Sequence, residues 1–214
     1  MPRQLTQSDV LHIAQQAIRI FASIGLRCCL IGSTACSLYG VNRTPNDVDL
    51  VVLTTEYDPE SLKEVLVNED MSFYLVRSRN PSANYKVLWC ELPHAKCKVD
   101  ILLPGILNIP VVPQRDIVWI SGYPVMPLIP LLLLKLQGLV DHRRSTRRDE
   151  QEKQHVDASD VWTLLQLAVE RRQNVWQSKM QWVPRSLVYA ADGHVADYID
   201  EYPRTAAPWR SIGL

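Results

Sequence analysis

Apolar positions return every three or four residues at Val10, Ile13, Ala14, Ala17, Ile18 and Phe21, the spacing of one helix face. Ser8 and Asp9 stand where a cap belongs, and Gly25 ends the run. The rhythm then changes. Residues 27–31 read as a short apolar strand. Residues 33–38 predict a short helix, with Ser33 or Thr34 near its cap and Gly40 closing it. A turn-rich loop over 41–46 leads to a second strand at 48–53. Residues 59–68 return to helical spacing, with Leu62, Val65 and Leu66 facing inward. Shorter strands follow at 73–77, 85–92 and 96–103, with a loop at 79–83 between the first two. Pro104-Gly105 stops the last of them. Residues 117–120 and 123–125 predict a hairpin around Ser121-Gly122.

From about residue 126 the pattern becomes helical, at 130–140 and again at 156–170. Between them lies a charged stretch, and its segment RRSTRRDE (143–150) reads as a solvated loop. The tail from Gln181 is rich in Trp, Tyr and Pro and reads as packing back on the core without chemistry of its own. The expectation is an α/β (α+β) fold. A mixed sheet flanked by helices occupies residues 1–125, and a small helical C-terminal region occupies 126–214.

Composition narrows the function classes. Of 214 residues, 47% are apolar, which is ordinary for a globular chain. Basic and acidic residues are equal at 23 each, so no broad positive field for nucleic acid is implied. The five cysteines, Cys28, Cys29, Cys36, Cys90 and Cys97, include no CxxC pair. They read as buried, reduced thiols rather than zinc ligands. The N-terminus has no apolar signal core, and the greasy run at 127–140 contains Lys135 and falls short of the about 20 residues that a membrane span needs. A cytoplasmic protein with no membrane span is expected.

One stretch, LIGSTACSLYGVNRTPNDVDLVVL, raises a chemical question. In a strand, residues i and i+2 share a face, so Asp47 and Asp49 project together while Val48 and Leu50 pack behind. Two carboxylates so placed repel unless a cation neutralises them. Asp100, in the similar strand KVDILL, completes a three-acid cluster if the two strands are neighbours. Hard oxygen ligands of this kind suit Mg²⁺ or Mn²⁺, which also takes ligands from substrate phosphates. Gly32 lets the backbone approach a ligand closely. Ser33 adds a hydroxyl at a helix start, where a phosphate is favoured. Arg43 precedes the acids and reads as a contact to phosphate or acceptor, or as a partner of Asp47. Lys135, in an otherwise apolar helix, reads either as a lysine reaching for solvent or as a phosphate contact. Asp157 and Asp160 read as exposed helix acids, and His142 and His155 as surface residues.

The order Gly32-Ser33, a thirteen-residue spacer, Asp47-Val-Asp49-Leu and the later Asp100 resembles the DNA polymerase β-type nucleotidyltransferase superfamily. Its short length and trailing helices resemble the minimal bacterial members, of the abortive-infection and aminoglycoside-modifying types. The first type adds a helical lysine and a later Asp-x-x-Asp, positions matched here by Lys135 and by Asp157 with Asp160. The basic residue that often precedes that motif is Val156 here. The resemblance implies an Mg²⁺-dependent enzyme, with an NTP as substrate. It would move a nucleoside monophosphate to a hydroxyl of an RNA, a protein or a small molecule. Asp47, Asp49 and Asp100 would hold metal, and Gly32 and Ser33 the β- and γ-phosphates. Two other readings of the same residues are a nucleotide-binding module without turnover and an Asp-x-Asp glycosyltransferase. The latter has no need of Gly-Ser upstream.

Overall fold

The computed structural model describes residues 4–78, 80 and 83–214, and the chain divides into two units: 1–106 with 117–126, and 107–116 with 127–214. The first helix, α1 (Gln7–Ser23), buries the expected face of Val10, Ile13, Ala14, Ala17 and Phe21. Its cap is Thr6 rather than Ser8. Thr6 Oγ1 accepts from the Asp9 N–H at 3.2 Å, and the Asp9 carboxylate accepts from the Thr6 N–H at 2.9 Å. The reciprocal bond satisfies two backbone donors that helix geometry leaves open. These bonds from Thr6, with His94 nearby, pull the Asp9 carboxyl down to about 2.

The rest of this unit alternates between strand and helix. β1 (Cys28–Ile31) is buried throughout. It runs into α2 (Gly32–Leu38), then β2 (Asp47–Val52) and α3 (Pro59–Glu69). β3 (Phe73–Arg77), β4 (Lys86–Glu91) and β5 (Lys96–Leu102) follow. The loop expected at 79–83 includes residues 79, 81 and 82, which lie outside the described residues. β6 (Val118–Ile120) and β7 (Tyr123–Val125) form the expected hairpin.

Among the described residues these strands form one mixed sheet in the order β3-β4-β5-β2-β1-β7-β6. β2 pairs parallel with β5, and β1 parallel with β7; the other neighbours are antiparallel. Period-two alternation sets the faces. Val48, Leu50 and Val52 of β2 and Cys97, Val99 and Ile101 of β5 are buried, whereas Asp47, Asp49, Lys98 and Asp100 are only partly covered. Helices α1 and α3 pack on the sheet and on each other. All five cysteines are free and buried. Burial pushes the Cys29 and Cys97 thiols up to about 12, which keeps them protonated and unreactive.

The second unit is helical: α4 (Leu128–Arg144), α5 (Arg148–Gln151), α6 (Gln154–Glu170), α7 (Arg185–Glu201) and α8 (Ala206–Ser211). α4 starts before Pro130, because proline is tolerated in a first turn, where its missing N–H has no acceptor to lose. It ends beyond residue 140, in His142, Arg143 and Arg144, cations that favour a helix C-terminus. The expected solvated loop at 143–150 is thus partly helix. Most of it is exposed, and Arg147 pairs with Asp149 at 2.6 Å and Glu150 at 2.8 Å. The tail contains a helix that the sequence reading did not assign, α7, which buries Leu187, Val188, Ala191, Val195 and Tyr198. Tyr198 donates to the Ala158 carbonyl of α6 at 2.8 Å, and Trp209 meets its ring edge-on. Among the described residues, no helix is long and apolar enough to cross a membrane.

Candidate functional site

The parallel pairing of β2 with β5 brings the acids together. Asp49 lies opposite Asp100 in the register, and Asp47 lies opposite Lys98. Asp47, Asp49 and Asp100 each offer one carboxylate oxygen, and these oxygens lie within 4.8 Å of one another. Two unit charges 4 Å apart repel by about 4 kcal/mol at an effective dielectric of 20, and by less where solvent reaches them. The fold holds the acids against that repulsion.

It does so through the start of α2. Ser33 Oγ donates to Asp47 Oδ1 at 3.0 Å, and Thr34 Oγ1 donates to the Asp47 carbonyl at 2.8 Å. Both hydroxyls therefore fix the first acid, and Thr34 is a positioning residue that sequence reasoning considered only as a cap. Gly32 has φ +57, and a Cβ built there would fall 1.9 Å from Asp49 Oδ2 and 2.7 Å from its Cγ. The glycine is required twice, by the left-handed backbone and by the carboxylate against it. Gly32→Ala is expected to lose about 1–2 kcal/mol to the backbone alone. It should also displace the Asp49 carboxylate and weaken Mn²⁺ binding, measurable by urea denaturation and calorimetric titration.

Lys98 was not singled out from the sequence, although it stands two residues before Asp100. Its ammonium donates to Asp100 Oδ2 at 2.6 Å. Burial pulls the amine down, but the hydrogen bond to Asp100 and the charges of Asp100, Asp47 and Asp49 outweigh it and hold it above its ordinary value. The available signal was period two: Lys98 and Asp100 share a face, as do Asp47 and Asp49.

The other candidates sit elsewhere in the chain. Arg43 is half-buried in the loop between α2 and β2, its N–H bonded to the Val41 carbonyl at 2.9 Å. Lys135 belongs to α4 in the second unit. Its ammonium lies 2.6 Å from Asp157 Oδ1 and 3.0 Å from Asp160 Oδ2. The expectation that Asp157 and Asp160 are exposed is overturned: both are buried, at 4% and 1% exposure. The i, i+3 spacing turns both toward α4, where Lys135 compensates them. His142 Nδ1 also reaches Asp157 Oδ2 at 2.6 Å, whereas His155 is exposed. Burial pushes the Asp157 carboxyl up, but Lys135, then His142, outweigh it and leave it below the usual carboxylate range. A cavity of about 580 Å³ in this unit is lined by Trp162, Tyr202, His155 and Arg204 among others, and by none of the three clustered acids.

The donor set fits a divalent cation. Three carboxylates on rigid strands offer hard oxygen ligands, and Gly32 leaves Asp49 the space it needs.

No family model and no curated protein matches the sequence. Solved structures do match. An antigenic nucleotidyltransferase-like protein from Paracoccidioides brasiliensis overlays with a TM-score of 0.61 at 16% identity, covering 96% of this chain and 92% of that one. The antibiotic-resistance factor ANT(2'')-Ia gives 0.43 at 14% identity, over 78% of this chain and 94% of its own. Terminal uridylyl transferase 4 from Trypanosoma brucei, with bound GTP, gives 0.40 at 13%, over 94% and 67%. The mixed sheet, its flanking helices and the helical C-terminal region are those of the nucleotidyltransferase fold.

Proposed function

We propose that the protein transfers a nucleoside monophosphate from an NTP to a hydroxyl, using Mg²⁺ or Mn²⁺ held by Asp47, Asp49 and Asp100. The observation that supports this most is the register. Asp47 and Asp49 of one strand meet Asp100, distant in sequence, on the adjacent parallel strand, against a glycine whose Cβ would collide with Asp49. In the reaction, the hydroxyl oxygen bonds to the α-phosphorus, the bond from that phosphorus to the β-phosphate bridging oxygen breaks, and pyrophosphate leaves. A divalent cation in the site supplies charge neutralisation for the phosphates and for the developing oxyanions. In this reading Asp100 accepts the hydroxyl proton. Asp47 is kept in position by Ser33 and Thr34. Because the Ser33 hydroxyl donates to Asp47, the phosphates fall to the backbone N–H groups at the start of α2, which lack intrahelical acceptors. Arg43, four residues before Asp47, is assigned to phosphate or acceptor. A phosphate role for Lys135 would require its ammonium to leave two buried carboxylates, and the proposed reaction does not draw on it.

The acceptor class is an RNA, a protein side chain or a small molecule. The test is incubation with each α-labelled NTP, Mn²⁺ and a cell extract. Label transferred to a macromolecule or metabolite, with stoichiometric pyrophosphate, is the expected result. No transfer and no Mn²⁺-dependent binding with any of the four NTPs would sink the proposal.

A further inference from the structure

Lys98 completes a square. On neighbouring parallel strands, residues in register project to the same side, so Asp47 and Lys98 form one row and Asp49 and Asp100 the next. Three corners are acids and the fourth is an amine. The amine is engaged by a carboxylate. It lies 2.6 Å from Asp100 Oδ2, with its side chain 40% exposed. One ammonium thus offsets part of the charge that three carboxylates within 4.8 Å would otherwise set against each other.

The same ammonium is an obstacle to a divalent ion. Two cations beside one carboxylate repel, and an oxygen lone pair that accepts an ammonium N–H is not available to a metal. An ion entering the cluster therefore either displaces Lys98 from Asp100 or shares that carboxylate with it against charge repulsion. A lysine suits exchange of this kind, since its charge sits at the end of a flexible four-carbon stem. An NTP arriving with the ion brings several negative charges to the ammonium just displaced.

We propose that Lys98 is the resident counter-cation of the acid cluster: its ammonium gives up Asp100 when a divalent ion enters and turns to an anionic phosphate oxygen of the bound nucleotide. This rests on the nucleotidyl-transfer reading of the site, and it adds a nucleotide-binding residue to it. A fixed structural salt bridge makes the opposite prediction for metal affinity, because losing it would disorder Asp100 and weaken the site.

The experiment titrates Mn²⁺ into the full chain without nucleotide, at constant pH and ionic strength, by calorimetry or by the free-ion paramagnetic signal. Lys98→Met is expected to bind Mn²⁺ about tenfold tighter than the parent. Lys98→Arg, which keeps the charge, should stay within about threefold of it. Lys98→Gln provides a second neutral variant should the methionine perturb folding, as judged by circular dichroism. At saturating Mn²⁺, the α,β-methylene forms of ATP, CTP, GTP and UTP are then titrated in turn. The tightest of them should bind Lys98→Met about tenfold more weakly than the parent, and Lys98→Arg should recover most of the loss. Equal or weaker Mn²⁺ binding by the neutral variants overturns the role of Lys98, and so does unchanged nucleotide affinity. If the parent itself takes up no Mn²⁺, this inference falls together with the nucleotidyl-transfer reading. If the parent binds both ligands and the variants match it, the role of Lys98 falls alone.

Discussion

Asp49→Asn is expected to reduce nucleotidyl transfer by about a thousandfold, equivalent to about 4 kcal/mol of transition-state stabilisation, and to abolish measurable Mn²⁺ binding. Asp49 is set among neighbours that the fold fixes. It lies opposite Asp100 on one side and Ile31 on the other, and its carboxylate is pressed against Gly32. Asparagine keeps the shape, so packing against Gly32 should survive. What it removes is one of three like charges. The melting temperature is therefore expected to stay at or above that of the parent, while transfer falls by that factor. That dissociation marks residues held in position for function at the expense of stability. Calorimetric Mn²⁺ titration, label transfer and thermal unfolding together check it. A variant that melts several degrees lower while still binding Mn²⁺ would mean that Asp49 serves the fold rather than a metal.

The largest stability effect is expected at Lys135. Its side chain is 13% exposed, and those of Asp157 and Asp160 are 6% and 1% exposed. Lys135→Met leaves two buried carboxylates without that cation, and breaking one side of a buried pair costs about 3–5 kcal/mol. The pH dependence gives an independent check. In the parent, the Asp157 carboxyl lies below its ordinary 3.8. It contributes stability that is present in full above 3.8 and is lost as pH falls through the lowered folded value. In Lys135→Met the burial that pushes Asp157 up remains and the largest influence that countered it is gone, with only the weaker pull of His142 left; the folded value is expected to rise above the unfolded one. A folded-state value above the unfolded one means that the folded form takes up a proton more readily. The variant should therefore recover stability as pH falls. Urea midpoints of parent and variant should differ most near neutrality and converge toward pH 4. Parallel curves would show that Lys135 does not offset the charge of Asp157.

The elements that were legible in the sequence are those with a local signal. The apolar face of α1, the strand at Phe73–Arg77, the hairpin around Ser121-Gly122 and the Gly32 turn all lie in windows where period and turn chemistry agree. The acids were legible because i, i+2 spacing on an apolar strand is unusual for carboxylates. Sheet order was not legible: nothing local says that β5 inserts beside β2 with Asp100 opposite Asp49. Lys98 was missed because an isolated strand reads as charged at its edge, and its role depends on the partner strand. Asp157 and Asp160 were misread as exposed for the same reason, since what makes their burial tolerable lies on another helix, chiefly Lys135. α7 went unassigned because Tyr, Trp and Pro around it weaken the helical pattern, while burial against α4 supplies what propensity does not.

The sheet's closing hairpin is made last. β7 docks beside β1 through the pairing of Leu30 with Val125, and the Met126 N–H bonds to the Leu30 carbonyl at 2.9 Å. During synthesis β1 leaves the ribosome long before the strand that covers its open side. Until then one edge of a fully apolar strand has no neighbour. A nascent chain of this protein therefore passes through a stage in which an interior strand is open to strangers, and chaperone capture should peak at lengths just short of that hairpin.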